Sequence, residues 1–85
     1  MAEVKIGKVT DYFAKIGVAA LEIENGELHV GDTIHFLGRT TDFVQKINSM
    51  QIEHQSVDSA KPGEGVGIKA KDRVRHGDEV YKVTD

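Results

Sequence analysis

Asn25-Gly26-Glu27-Leu28-His29-Val30-Gly31-Asp32-Thr33-Ile34-His35-Phe36 is the stretch on which the reading of the fold turns. Asn25-Gly26 suits a tight turn with positive φ, because Asn tolerates that region and Gly has no Cβ to clash there. Gly31-Asp32 makes a second corner and releases the chain into Thr33-Ile34-His35-Phe36, where apolar and polar residues alternate. Near the other end, His76-Gly77-Asp78-Glu79-Val80-Tyr81 echoes Val30-Gly31-Asp32-Thr33-Ile34-His35. Two Gly-Asp corners, each feeding a strand, predict a small barrel whose chain turns sharply at its rims.

Upstream of that stretch, Val4-Lys5-Ile6-Gly7-Lys8-Val9 alternates until Gly7 shifts the phase, the pattern of a β-bulge or barrel bend. Asp11-Tyr12-Phe13-Ala14-Lys15 reads as a loop carrying two aromatics, and Ala19, Leu21 and Ile23 then share one strand face. Downstream, Gly38-Arg39-Thr40-Thr41-Asp42 is a polar corner. Residues 43–52 form the longest candidate strand, with Phe43, Gln45 and Ile47 on one face and Met50 and Ile52 on the other. The phase slips at Asn48-Ser49, which places a bulge or strong bend there. Pro62-Gly63 reads as a type II turn, with Pro presetting φ and Gly accepting positive φ at the next position. Val66, Ile68 and Ala70 make one further strand face, and Val80, Tyr81 and Val83 finish the last strand. The expectation is all-β: a single six-stranded antiparallel barrel with no helix.

A chain of 85 residues builds one core, so residues 1–85 are read as one domain. A domain this short buries roughly 60–65 % of its unfolded surface, which leaves little stability to spare. With no Cys there is neither a disulfide framework nor a thiolate metal site. Lack of Cys, of an apolar run of membrane-spanning length and of a signal-peptide h-region points to the cytoplasm and away from membranes. The net charge of -3 is unlike that of a general polyanion binder.

That sum hides an asymmetry. Lys61, Lys69, Lys71, Arg73, Arg75 and His76 face only Glu64 and Asp72 in their segment, whereas Glu22, Glu24, Glu27 and Asp32 crowd the earlier half. If residues 69–75 stay extended, Lys69, Lys71, Arg73 and Arg75 share one side. That arrangement is either a stripe for phosphates or an acidic partner, or an ordinary solvated face. Tyr12-Phe13 offers a second candidate, because neighbours cannot both point inward, which leaves one to stack on a base or anchor a partner. The four histidines include no His-x-His or His-x-x-x-His pair, and no carboxylates cluster with them, so no metal is expected. Ser49, Ser56 and Ser59 lie near His54, but nothing orients one as a nucleophile, so no enzymatic activity and no cofactor are expected.

The corner motifs also carry a resemblance. Residues 25–34 and 47–52, Pro62-Gly63-Glu64-Gly65-Val66-Gly67-Ile68 and Arg75-His76-Gly77-Asp78-Glu79-Val80 resemble the second domain of elongation factor Tu and related translation GTPases. The corner residues Asn25, Gly26, Gly31, Asp32, Pro62, Gly63, Gly77 and Asp78 match the family's structural turns. Residues 38–43 and 49–54 are more similar still to short translation elongation factor-like proteins and to the C-terminal barrel of collagenase-like peptidases. In the elongation factor this barrel helps cradle the aminoacyl end of tRNA. The resemblance aligns a family glutamate of that pocket with Gln51, a nearby arginine with His54, and a Gly-Arg pair with Leu21-Glu22. These departures remove or reverse charge. A phosphate-binding Gly-x-x-x-x-Gly-Lys-Ser/Thr loop is absent, so no nucleotide is expected.

Two functions are therefore expected of a non-catalytic binding module. The first is association with RNA, the ribosome or a translation-related protein, through Lys61, Lys69, Lys71, Arg73, Arg75, Tyr12 and Phe13. The alternative is a substrate-positioning accessory of a larger enzyme such as a collagenase-like peptidase.

Overall fold

Alternating sequence that meets Gly corners every few residues can satisfy its backbone only by pairing strands, and the computed structural model, which describes residues 2–84, is built that way. The ten strands are β1 (Ala2–Phe13), β2 (Val18–Ile23), β3 (Leu28–His29), β4 (Thr33–Leu37), β5 (Asp42–Lys46), β6 (Met50–Ile52), β7 (Gln55–Val57), β8 (Ser59–Ala60), β9 (Gly65–Lys69) and β10 (Glu79–Thr84). The ladders are antiparallel, and one sheet runs β5-β4-β10-β1-β2-β9-β6-β7 beside a small β3-β8 pair. The all-β expectation holds, with no helix among the described residues.

The strand count differs. Six strands, β5-β4-β10-β1-β2-β9, curl round the core, and the additional ones are short elements of two or three residues. Such pieces carry too few residues to show a period. Among the described residues no backbone ladder closes the curl. Instead the Gln45 side chain spans the seam, its Nε2 donating to Lys69 O at 2.8 Å and its Oε1 accepting from Lys71 N at 2.8 Å. One primary amide thus stands in for one rung of a sheet.

Inside lie Ile6, Val9, Leu21, Ile23, Ile34, Phe36, Ile47, Met50, Val66, Ile68 and Val80, all buried. Their burial follows the period-2 pattern along β2, β4 and β9. The register of β1 on β10 shifts at Lys5/Gly7, where the chain needs Gly because a Cβ would meet Glu22 O at 2.1 Å. A second shift at Val9/Asp11 lets β1 continue through Tyr12 and Phe13, so the expected loop at residues 11–15 is corrected to strand followed by a turn. The phase slip at Asn48-Ser49 is a break between β5 and β6.

The Gly-Asp echo is one device made twice. Asp32 N donates to His29 O while its Oδ2 accepts His29 N, at 3.0 and 2.8 Å. Asp78 does the same with Arg75, at 3.0 and 2.9 Å. Residues 61–64 repeat it with a longer acid, Glu64 N to Lys61 O at 3.1 Å and Lys61 N to Glu64 Oε1 at 2.7 Å. Each turn has Gly at its third position with positive φ, 99° at Gly31, 92° at Gly77 and 90° at Gly63, the geometry of a type II turn. The carboxylate occupies the N–H that the turn itself leaves free, so each corner is locked twice. Asn25-Gly26 is a bend with φ 70° at Gly26; it does not join paired strands, since β2 pairs with β1 and β9 and β3 pairs with β8.

On the outer face of β4, His35 sits between Glu3 and Asp42, with Nδ1 2.8 Å from Glu3 Oε1 and Nε2 2.5 Å from Asp42 Oδ1. A carboxylate without a proton can only accept, so the imidazolium, which donates from both ring nitrogens, is the form of the ring that this pair of contacts favours. The hydrogen bond to Glu3, then that to Asp42, raises its pKa above 6.5 against a smaller opposing effect of burial. A folded-state pKa above the unfolded one gives stabilisation that is full below the unfolded value and lost as pH rises through the folded value. Thermal melts of the protein and of His35→Gln between about pH 6 and about pH 9 should therefore differ most at the acid end and converge at the alkaline end. A constant difference would contradict the charged pairing.

Candidate binding site

β9 reads Gly65-Val66-Gly67-Ile68-Lys69, and the alternation decides what its outer face offers. Val66 and Ile68 enter the core, so the outward positions fall to Gly65 and Gly67 and leave bare backbone. A groove of about 280 Å³ runs over this stripe, walled by Phe13, Ile16 and Val18 on one side and by Gln51, Glu53 and His54 on the other. A Cβ at Gly67 would lie 3.3 Å from Val18 Cγ1, so a side chain there would crowd Val18 and take up part of the groove.

Phe13 closes β1 and Ile16 caps the turn that follows, where Ile16 N and Gly17 N both donate to Phe13 O at 3.2 and 2.8 Å. These two apolar side chains are 48 % and 60 % exposed, the costly arrangement for a small domain unless something covers them. The facing wall is the β6–β7 hairpin, whose two-residue loop is Glu53-His54. Both loop residues have positive φ, 50° and 65°, as a type I′ turn demands, yet neither is Gly, Asn or Asp. Non-glycine residues in that region cost on the order of 1–3 kcal/mol each, and both of these residues line the groove.

The candidates read from the sequence fall in separate places. Phe13 lines the groove, while Tyr12 packs half-buried against the core, as neighbours on a strand must. Tyr12 also borders a hollow with Arg73 and Arg75, which holds the carboxylate of Asp11. Lys61 sits in the turn entering β9, at the far end of that strand from Lys69. The extended stripe over residues 69–75 is not formed: the chain leaves β9 after Lys69, and buried Val74 ties the connecting loop to the core. Lys69 and Lys71 remain together at the Gln45 seam, with Lys71 Nζ 5.9 Å from the centre of the Phe43 ring. Arg75 turns toward the β4–β5 corner and donates from Nε to Thr40 Oγ1 at 2.9 Å.

Gln51 and His54, marked by the family alignment, both reach the groove. Ile16, Glu53, Gly65 and Gly67 were not singled out. The Gly-x-Gly of β9 was the available signal, since glycines at the outward parity of a strand mean an uncovered backbone. Among the described residues no three His, Asp or Glu gather where a metal ion would need them. Among the described residues no helix is long and apolar enough to cross a membrane.

Comparison with known proteins agrees with this architecture. Residues 17–78 match the family model of elongation factor Tu domain 2. A collagenase of Porphyromonas gingivalis is 41 % identical over 81 residues, covering 94 % of this chain and 20 % of that protein. An uncharacterised protease of Methanocaldococcus jannaschii is 44 % identical over 80 residues, covering 93 % of this chain and 19 % of that protein. The chain thus spans about a fifth of the length of the curated relatives it matches. The crystal structure of the C-terminal domain of a U32 peptidase from Geobacillus thermoleovorans aligns with a TM-score of 0.86 at 26 % identity, over 93 % of this chain and 91 % of that one. Both the resemblance to elongation factor Tu domain 2, drawn from the corner motifs, and that to the C-terminal barrel of collagenase-like peptidases, drawn from residues 38–43 and 49–54, are shown.

If the hairpin loop is strained for the sake of the groove, relaxing it should stabilise the fold. Replacing Glu53-His54 by Asn-Gly (E53N/H54G) is expected to raise stability by about 1 kcal/mol in urea denaturation. Unchanged or lower stability would show that the loop carries no strain.

Proposed function

The chain belongs to the elongation factor Tu domain 2 family, and from that premise we propose that it is a non-catalytic binding module that positions a polypeptide for a U32-type peptidase. The groove over Gly65 and Gly67 carries this reading. Its apolar wall is exposed, its floor is backbone, and its polar wall is fixed by a strained hairpin. An extended peptide suits such a slot, because it is thin enough to lie over the two glycines, whose backbone is already paired with β2 and β6, and can set its side chains against Phe13 and Ile16. None of the groove's residues forms a nucleophile with an oriented base, so the chemistry would belong to another unit. The relatives named collagenase and protease are about five times longer than the matched segment, which leaves room for that unit.

A second reading, association with RNA or the translation machinery, is favoured by one observation. Lys69, Lys71, Arg73 and Arg75 are all exposed although they form no stripe. The two readings separate in one set of titrations. A labelled collagen-derived peptide followed by NMR should shift Phe13, Ile16, Gln51, His54 and Gly67, and F13A/I16S should weaken it about tenfold or more. Absence of shifts at the groove, or indifference to F13A/I16S, would overturn the peptide reading. Single-stranded RNA bound with steep salt dependence and lost in K69E/K71E/R73E would favour the second.

A further inference from the structure

The seam between β5 and β9 holds a feature that the groove does not use. A cavity of about 610 Å³ opens there, lined by Val44, Gln45, Lys46, Asn48, Ser49 and Lys69 with Lys71 at its end. No carboxylate lines it, in a protein whose net charge is -3. Among the described residues the ion pairs are made by other cations, and Lys46, Lys69 and Lys71 enter none. Val44, on the same outward face as Lys46, is 43 % exposed.

The backbone beside this cavity is equally unpartnered. Ile47 N donates to Asp32 O and Ile47 O accepts from Gly31 N, while Thr41 O accepts from Gly38 N. Residues 41, 43, 45 and 47 therefore turn their peptide groups toward β4. By strand alternation Val44 and Lys46 turn theirs outward, into the seam. Gln45 satisfies Lys69 O and Lys71 N, but among the described residues no partner reaches the N–H and C=O of Val44 and Lys46. The seam thus presents a free strand edge next to three uncompensated lysines.

We propose that this seam is a docking site for an extended acidic peptide, which pairs with the β5 edge and sets its carboxylates against Lys46, Lys69 and Lys71. The site is distinct from the apolar groove. A strand edge offers donors and acceptors by turns, which another peptide backbone matches. A polynucleotide brings acceptors for the lysines but little for the carbonyls. A second copy laid antiparallel on β5 would set Lys46 against Asp42 and leave Lys69 and Lys71 without counter-charge.

The test uses the whole chain and a fluorescent peptide alternating Glu with Val, followed by anisotropy and by amide exchange. Binding is expected, with the Val44 and Lys46 amides becoming protected and affinity falling about tenfold or more in K69E/K71E. Val44→Pro removes the edge N–H without touching the β4 ladder and leaves every lysine in place, so it should also abolish binding. F13A should have no effect, which separates this site from the groove. No binding, equal binding of single-stranded RNA without protection at Val44 and Lys46, binding retained by V44P, or a β5-mediated dimer in light scattering would each overturn the proposal.

Discussion

A single primary amide bridges the one seam that the strand ladders of this domain leave open among the described residues. Six strands curl until β5 comes back to β9, but the two do not meet as strands, and Gln45 bridges them by bonding Lys69 O and Lys71 N at once. Closing a sheet through a side chain keeps the edges farther apart than the ~4.8 Å of a ladder. The core is sealed, since Phe43 and Ile47 flank Gln45 on the same face and pack inward. The backbone of β5 is left open, and the surface of the seam becomes a cavity. What would have been an ordinary barrel wall is thereby left as an unpaired strand edge beside a cavity.

The rest of the chain serves to bring those edges to their places. Three corners locked by an acid at their fourth position, Asp32, Glu64 and Asp78, set the entry of β4, β9 and β10. Asp78 is buried, and Gly38 must lack a side chain because a Cβ there would collide with the Asp78 carboxylate. The β4–β5 corner and the β10 entry are therefore fitted to each other. With the rims fixed, the outer face of β9 can be spent on Gly65 and Gly67, which leave a groove where other strands carry side chains.

Much of this was legible in the sequence, for reasons that vary by residue. Gly31-Asp32 and Gly77-Asp78 announced themselves because a type II turn needs Gly at its third position and few other residues fit. Gly7 and Asn48-Ser49 were read correctly as interruptions because the period-2 pattern breaks there. Tyr12-Phe13 was misread as loop, since the register shift after Val9 hides the continuation of β1. The alternation Lys69-Ala70-Lys71-Asp72-Arg73-Val74-Arg75 imitates a strand, but β2 begins at Val18 opposite Lys69, and the pairing ends one residue later with Ala70 N donating to Gly17 O. Ala70 and Val74 are buried as anchors of a loop. Glu53-His54 could not be read as a hairpin loop at all, because neither residue favours the conformation it holds.

Amide hydrogen exchange of the free chain tests the central claim directly, that the seam is closed by Gln45 and the β5 edge is open. The Lys71 amide should be protected although it lies in a loop, and the amides of Phe43 and Gln45 should exchange slowly while those of Val44 and Lys46 exchange fast. Equal protection at Val44, Lys46, Phe43 and Gln45, or rapid exchange at Lys71, would contradict it.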